Sequence, residues 1–419
     1  MKKTVLLLGS GGKEHAWALA IKESDAEIIS WAPKINPGVA ELSIGIIEAG
    51  YEKNRDLIEP WIECIDLVII GQCQPMLDGI GDWFEELGKK VFSPSAKNAM
   101  IEGSKVYLRE FLHRNNIDGN INFTVCTSKQ NIQNAFDKTL ELAIKPDGLT
   151  GGDGVRVFGD HFKSKDEATV YATKLLQQDG IVLLEQLITG IEFSLQGFAA
   201  GNRVVFLPLV KDYKRAYDGN KGPNTGSMGA CSFANHGLPY LSYDDYENAK
   251  KIICEVLEAL ERENGPYNGA IYGQFMVTAD GLKIIEFNAR LGDPEAINTL
   301  GLLKTPLLDI IDILSDVSQK VDQIQFEHKA TCVLYLVPKG FPEHAKEGVL
   351  FDIPDTFKDN WRLAYVNRVG EKFETTKKRS LILIEYGKTL AEARQNVYKL
   401  IPVGFDDLSY RTDIAVEFT

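Results

Sequence analysis

Residues 271–278 and 282–289 are two runs of strand composition flanking Ala279-Asp280-Gly281. An Asp-Gly pair between such runs marks a hairpin, which commits this part of the chain to an antiparallel sheet. The second run opens the stretch Lys283-Ile284-Ile285-Glu286-Phe287-Asn288-Ala289-Arg290-Leu291-Gly292-Asp293-Pro294-Glu295, which ends as a charged loop. Side chains of a strand alternate between its faces. Glu286, Asn288 and Arg290 are therefore expected on one face, and Ile285, Phe287 and Ala289 on the other. The apolar set can enter a core. The polar set offers two hard oxygen ligands and a guanidinium in a row. Mg²⁺ takes oxygen ligands and draws only one or two of them from protein, and arginine grips phosphate oxygens as a fork. The row suits metal-assisted phosphoryl transfer. Read alone, it is equally a solvent-facing strand of mixed charge.

The chain around this hairpin is long enough for several cores. Its 419 residues predict two to four domains. Short apolar strands at 5–8, 28–31, 67–70 and 90–92 alternate with helical segments at 15–22 and 80–89. That alternation predicts a parallel α/β domain ending near residue 103. Beyond it, helices are expected at 104–115, 164–178 and 246–264, the second opened by a capping box of Ser164 and Glu167. Strands are expected at 142–145, 155–158, 181–184, 192–198 and 203–210. A mixed final segment begins near 325, with strands at 330–337 and 380–386 and a helix at 391–400.

A net charge of -13 supplies no positive field for nucleic acid or an anionic membrane. The six cysteines contain no CxxC pair and read as reduced thiols. The first apolar run is too short for a signal peptide, and no run is long enough to span a bilayer. The expectation is a soluble cytoplasmic protein without nucleic-acid or membrane partners.

Three further segments carry chemistry. Gly9-Ser10-Gly11-Gly12-Lys13-Glu14-His15 follows a strand and opens a helix, a place where backbone N–H groups can meet phosphate. It is not a dinucleotide fingerprint, because Glu14 stands where G-x-G-x-x-G needs glycine and no acidic residue closes the second strand. A tight turn without ligand is the plain alternative. Lys145 ends an apolar strand before a loop with four glycines between 148 and 154. A buried lysine needs water or an anion, and glycine permits close approach to a ligand. A mobile flap over nucleotide phosphates and a flexible hairpin with a snorkelling lysine both fit. Lys211-Asp212-Tyr213-Lys214-Arg215, followed by Gly222-Pro223-Asn224-Thr225-Gly226-Ser227-Met228-Gly229, combines charge with turn formers. That combination is more typical of a functional loop than of a core, with a solvated turn as the alternative.

Together these segments resemble the ATP-grasp enzymes, and most closely the glycinamide ribonucleotide synthetase family (phosphoribosylamine–glycine ligases) of purine biosynthesis. The resemblance runs from Gly9 through Asn36-Pro37-Gly38, Glu102-Gly103-Ser104-Lys105, Ile144-Lys145-Pro146-Asp147-Gly148-Leu149, Asp212–Arg215, the 222–229 loop and the 286–295 row to Tyr410-Arg411-Thr412-Asp413-Ile414. Gly148-Leu149-Thr150-Gly151-Gly152, Tyr213 and Tyr272-Gly273-Gln274-Phe275 are similar to the archaeal branch.

The resemblance implies an α/β and α+β multidomain fold. It has an amino-terminal parallel α/β domain (1–103), an ATP-grasp body with a mobile lid (104–325, lid about 120–190) and a small mixed carboxyl-terminal domain (326–419). It implies ATP-dependent ligation of glycine to 5-phosphoribosylamine through glycyl phosphate, with Mg²⁺ or Mn²⁺, by a monomer or small homo-oligomer. By position, Lys105 and Lys145 would hold ATP phosphates, and Glu185, Leu187 and Glu192 would line the nucleoside. Glu286 and Asn288 would bind the metal. Asp212, Lys214, Arg290 and Asp293 would hold glycine and the acyl-phosphate oxygens, and Gly11, Lys13 and Asn36 would receive phosphoribosylamine.

The chain departs from the family pattern at three places. Asp153 stands where the flap usually carries lysine, Gly71-Gln72-Cys73-Gln74-Pro75 replaces Gly-Pro-Glu-x-Pro, and Ile191 takes a position where glutamate is common. The first bears on ATP turnover and the second on the identity of the amine, leaving another amine acceptor or a weakly active nucleotide-binding relative as alternatives.

Overall fold

A computed structural model describes residues 2–51, 53–151, 154–354, 357, 359–401 and 407–419. Asp153 and Gly152 of the flap lie outside the described residues.

The amino-terminal sheet is parallel, in the order Gly45–Glu48, Glu27–Ala32, Thr4–Leu8, Leu67–Ile70, Lys90–Phe92. The central strands are buried on both faces, as helix-covered parallel strands are. The strand order reverses between Thr4–Leu8 and Leu67–Ile70, and a crevice opens at the carboxyl ends of strands at such a switch point. The two loops leaving those ends begin at Gly9 and Gly71, and Gly71 N–H bonds the Leu8 carbonyl at 2.9 Å.

The hairpin forms as expected, Asn268–Thr278 against Gly281–Asn288, with Gly281 at φ +91° where the turn rejoins the strand. These strands pair on with Ile191–Ala200 and Arg203–Phe206 in a four-stranded antiparallel sheet. The long helix Tyr243–Asn264 covers one face through Ile252, Ile253, Val256, Leu257 and Leu260. A second four-stranded sheet, Phe123–Cys126, Val182–Gln186, Leu142–Pro146 and Arg156–Val157, carries the helices Lys129–Lys138 and Lys165–Asp179 around a separate core. Ser164 caps the second of these helices, but the Glu167 carboxylate reaches back to Lys163 N–H.

Two expectations are corrected. Glu286 lies opposite Gln274 while Ile284 lies opposite Phe275, so Ile285 is an extra residue in a β-bulge. Ile284 and Phe287 both enter the core and Ile285 does not, because a bulge resets the alternation. The expected strand 203–210 stops at Phe206, and Lys211–Asp212 joins a different sheet. Pro208, which has no N–H to give a ladder, sits at the break.

That other sheet orders Lys211–Asp212, Gly229–Ser232, Ala330–Pro338, Leu381–Gly387 and Trp361–Leu363, with Leu408–Ser409 beside Ala330–Pro338. Its inner face packs on the first helix, Gly12–Glu23. A Cβ on Gly12 would stand 2.3 Å from Ile382 Cδ1, so only glycine fits. His15 lies in the same seam, accepting from Leu363 N–H at 2.9 Å. Burial, aided by the nearby Arg362, lowers its pKa to about 3. The unfolded chain takes up this proton near pH 6.5 and the folded chain only near pH 3, so stability falls as pH drops through that window. His15→Gln is expected to flatten the fall in thermal midpoint between pH 6.5 and 4, an effect on the order of a few kcal/mol at full protonation. A fall as steep as that of the parent would contradict it.

Candidate active site

The bulge leaves Glu286 and Asn288 on one face of the hairpin, toward Lys145 of the second four-stranded sheet. Asn288 Nδ2 donates to Glu286 Oε1 at 3.2 Å, and Arg290 Nη2 donates to Asn288 Oδ1 at 3.3 Å. Arg290 is anchored from behind, since its Nε meets Glu102 Oε1 at 3.0 Å while Ala289 N–H takes Glu102 Oε2 at 2.8 Å. Burial opposes the charge on Glu286, but Lys214, the Asn288 amide, Lys145 and Arg290 together hold its carboxyl below the usual range. An ionised carboxylate beside an amide oxygen is a hard-oxygen donor set that fits Mg²⁺ or Mn²⁺.

The expected phosphate lysines converge on the same space. Lys105 begins the helix Lys105–Arg114, and its Nζ donates to the Gly148 carbonyl at 2.7 Å and Thr150 Oγ1 at 3.3 Å, at the base of the glycine loop. Burial lowers its pKa, partly countered by Glu286. Lys145 Nζ lies 2.5 Å from Glu185 Oε2. Glu185 is not open toward a nucleoside. It is 2% exposed, and Arg109 also takes both of its oxygens, at 2.7 and 3.3 Å. Burial raises the cost of its charge, but Arg109 and Lys145 bring its pKa down to about 2. Leu187 is half-buried, with its N–H on the Glu141 carbonyl at 2.9 Å. Glu192 is exposed, accepts from Gln274 Nε2 at 2.8 Å and stands 3.9 Å from Lys214 Nζ.

Lys214 is the hub of a carboxylate cluster. Burial works against its charge, but Asp212, Glu192, Glu286 and Glu295 leave its pKa raised. Glu295 was not singled out from sequence as a site residue. It is 3% exposed, packs under Gly292, and accepts from Tyr272 Oη at 3.1 Å. Burial and the Asp212 charge push it up to about 7. Asp212 Oδ1 is buried without a hydrogen-bond partner. Asp293 follows three residues after Arg290, where Tyr335 Oη donates to its Oδ1 and Arg379 Nη2 approaches Oδ1 at 3.4 Å. Asp293 Oδ2 is buried and unpartnered. Arg379 also donates to the Gly226, Ser227 and Asp293 carbonyls, tying the 222–229 loop to the Asp293 segment.

At the switch point, the Gly9–Gly12 turn wraps the Glu14 carboxylate. A Cβ on Gly9, Gly11 or Gly71 would fall within 2.4–2.7 Å of a Glu14 side-chain atom. Gly11 N–H donates to Glu14 Oε2 at 2.6 Å, and Lys13 Nζ lies 3.0 Å from Oε1. The N-cap N–H of the helix Gly12–Glu23 therefore has a carboxylate of its own chain as acceptor. Burial pulls Lys13 down, but Glu14, Tyr365 and Asp293 leave it raised against an opposing Arg290, so this turn and the 286–293 stretch share one electrostatic space. Asn36 is a clasp: its amide donates to the Gly11, Leu363 and Ala364 carbonyls and accepts from Gly38 N–H. Cys73 is 5% exposed, and burial next to Glu102 pushes its thiol up. The Gly71 loop thus lines the same crevice as Gly11 and Lys13.

Glu14, Arg109, Glu295 and Arg379 are the polar residues that sequence reasoning missed. Arg109 lies one helical turn after Lys105 inside an otherwise amphipathic helix, and that intrusion of charge was the one signal available.

Residues 3–102 match the model of the phosphoribosylglycinamide synthetase N domain, and residues 103–296 match that of the phosphoribosylglycinamide synthetase ATP-grasp (A) domain. The chain is 36% identical to a phosphoribosylamine–glycine ligase of Methanococcus maripaludis, over 98% of this chain and 96% of the relative. It is 37% identical to one from Thermococcus gammatolerans, over 98% and 94%. The crystal structure of the phosphoribosylamine–glycine ligase of Thermotoga maritima superposes with a TM-score of 0.80 at 26% identity, covering 98% of this chain and all of that one. A biotin carboxylase of Campylobacter jejuni shares the fold alone, with a TM-score of 0.71 at 12% identity over 98% of this chain and 92% of that one.

Proposed function

The chain belongs to the phosphoribosylglycinamide synthetase family, and from that premise we propose that it joins glycine to 5-phosphoribosylamine with ATP, giving glycinamide ribonucleotide, ADP and phosphate in purine biosynthesis. It is an ATP-grasp ligase, a class that uses ATP and a divalent metal. The observation that carries the reading is the closeness of the switch-point turn to the 286–295 row: a Cβ on Gly11 would stand 3.5 Å from Asp293 Oδ2.

In this reading Glu286 and Asn288 hold Mg²⁺ or Mn²⁺, which supplies a Lewis acid for charge on the transferring phosphoryl group. Lys105 and Lys145 neutralise phosphate oxygens, and Glu185 keeps Lys145 in place. Leu187 and Glu192 line the nucleoside. Arg290 and Lys214 hold the glycine carboxylate as its oxygen attacks the γ-phosphorus and ADP leaves. The unpartnered oxygens of Asp212 and Asp293 are acceptors for amino groups. The amine nitrogen of phosphoribosylamine, presented from Gly11, Lys13 and Asn36, then attacks the glycyl carbonyl; the acyl C–O bond breaks, and phosphate departs with the activating oxygen and the proton the amine gives up. Lid closure keeps water from the acyl phosphate.

We divide the chain at 103 and 325, with the lid at about 120–190. The mixed carboxyl-terminal domain takes Lys211–Asp212 and Gly229–Ser232 into its sheet. No helix among the described residues is long and apolar enough to cross a membrane. All six cysteines are free, which supports a reducing, cytoplasmic setting.

The test is ADP release with glycine, with and without phosphoribosylamine. Release that requires both substrates is expected. Release that requires glycine and a different amine would move the acceptor assignment to the Cys73 side of the crevice, and nucleotide binding without turnover would overturn the ligase reading.

A further inference from the structure

Arg109 is 1% exposed, and each of its five N–H donors has an acceptor. Nε and Nη2 hold the two oxygens of Glu185 at 2.7 and 3.3 Å. Nη1 holds the Ile284 carbonyl at 2.9 Å and Asn120 Oδ1 at 3.3 Å, and Nη2 also holds the Ile285 carbonyl at 2.7 Å. In a regular strand, consecutive carbonyls point to opposite sides. Here both reach one guanidinium, because Ile285 is the extra residue of the bulge. The same bulge decides which residues after it face the cleft. Straightening it would turn Glu286 and Asn288 toward the core side, since a one-residue slip reverses every side chain beyond it. The other arm of the guanidinium sets Glu185, and Glu185 sets Lys145.

We propose that Arg109 is a positioning residue for phosphoryl transfer. It locks the bulge that aims the Glu286–Asn288 metal ligands and, through Glu185, fixes Lys145 on the facing wall. The inference rests on the metal reading given above. Lysine cannot replace arginine here, because an ammonium has three donors from one point and no planar fork to span a carboxylate and two carbonyls.

The experiment measures Mn²⁺ binding without turnover, by the loss of the free-ion electron paramagnetic resonance signal in the presence of a non-hydrolysable ATP analogue. Arg109→Lys is expected to weaken binding by on the order of tenfold or more. It should also lower kcat while leaving the KM for phosphoribosylamine unchanged, a split that general loosening would not produce. Unchanged Mn²⁺ affinity in a folded Arg109→Lys protein overturns the proposal. If that variant does not fold, Asn120→Ala, which removes one acceptor at a loop, carries the same titration. Weaker binding supports the proposal and unchanged binding overturns it. Glu286→Gln is titrated alongside. If it too binds Mn²⁺ like the parent, the metal reading itself fails; if it binds weakly while Arg109→Lys does not, only the role of Arg109 fails.

Discussion

Glu286→Gln is expected to cut glycine-dependent ADP release by on the order of two to three orders of magnitude while the fold persists. The carboxylate is held ionised against burial by Lys214, the Asn288 amide, Lys145 and Arg290, so its charge is a maintained feature of the site. Glutamine keeps the shape and removes the charge. The cluster then keeps the cations Lys105, Lys145, Lys214 and Arg290 but loses the carboxylate proposed as the anionic metal ligand. Fold should survive because Lys214 retains Asp212, Glu192 and Glu295 as counter-charges. Excess Mg²⁺ should recover part of the rate, since Asn288 Oδ1 and the nucleotide still offer oxygen ligands. Steady-state ADP release over a Mg²⁺ titration, with circular dichroism for fold, measures this. Turnover within tenfold of the parent at ordinary Mg²⁺ would exclude Glu286 as a metal ligand.

Arg379→Met is expected to cost about 3–5 kcal/mol of stability and to abolish most turnover, the range seen when one partner of a buried ion pair is removed. Arg379 is 8% exposed, stacks over the Tyr335 ring at 4.2 Å, and joins Asp293 to the carbonyls of Gly226 and Ser227. Methionine fills some of the volume but leaves those carbonyls without this donor and Asp293 with only the Tyr335 hydroxyl on Oδ1. The Asp293 segment and the 222–229 loop should loosen together. Thermal denaturation and the KM for glycine report the two effects, and Arg379→Lys should recover part of the stability by restoring the charge. A variant with the parent's midpoint would show that the 222–229 loop does not depend on this clasp.

These two residues differ in how visible they are in the sequence. Glu286 lies in a strand pattern with a period of two, and Asn288 and Arg290 continue its polar face. Arg379 lies in the basic run Lys377-Lys378-Arg379, just before the expected strand 380–386, and no motif marks it. Its burial depends on a loop 150 residues away arriving at the same place. Glu185 shows the opposite case. Its position in an apolar strand was legible, but its partners were not, because Arg109 and Lys145 come from a helix and a strand that meet it only in the fold.

By itself, the sequence determined the local structure: the amino-terminal parallel sheet, the hairpin, the capped helices and the family to which their motifs belong. The structural elements rest on periodicity or turn chemistry within about a dozen residues, and the family rests on the resemblance of motifs spread from Gly9 to Ile414. Only the tertiary structure decided the rest. It placed the bulge at Ile285 and saturated the guanidinium of Arg109. It drew Lys211–Asp212 and Gly229–Ser232 into a sheet with strands of the carboxyl-terminal segment, and gathered Asp212, Lys214, Glu286 and Glu295 into one cluster. Burial and charge pairing depend on which distant segments exclude water together, and no local pattern records that.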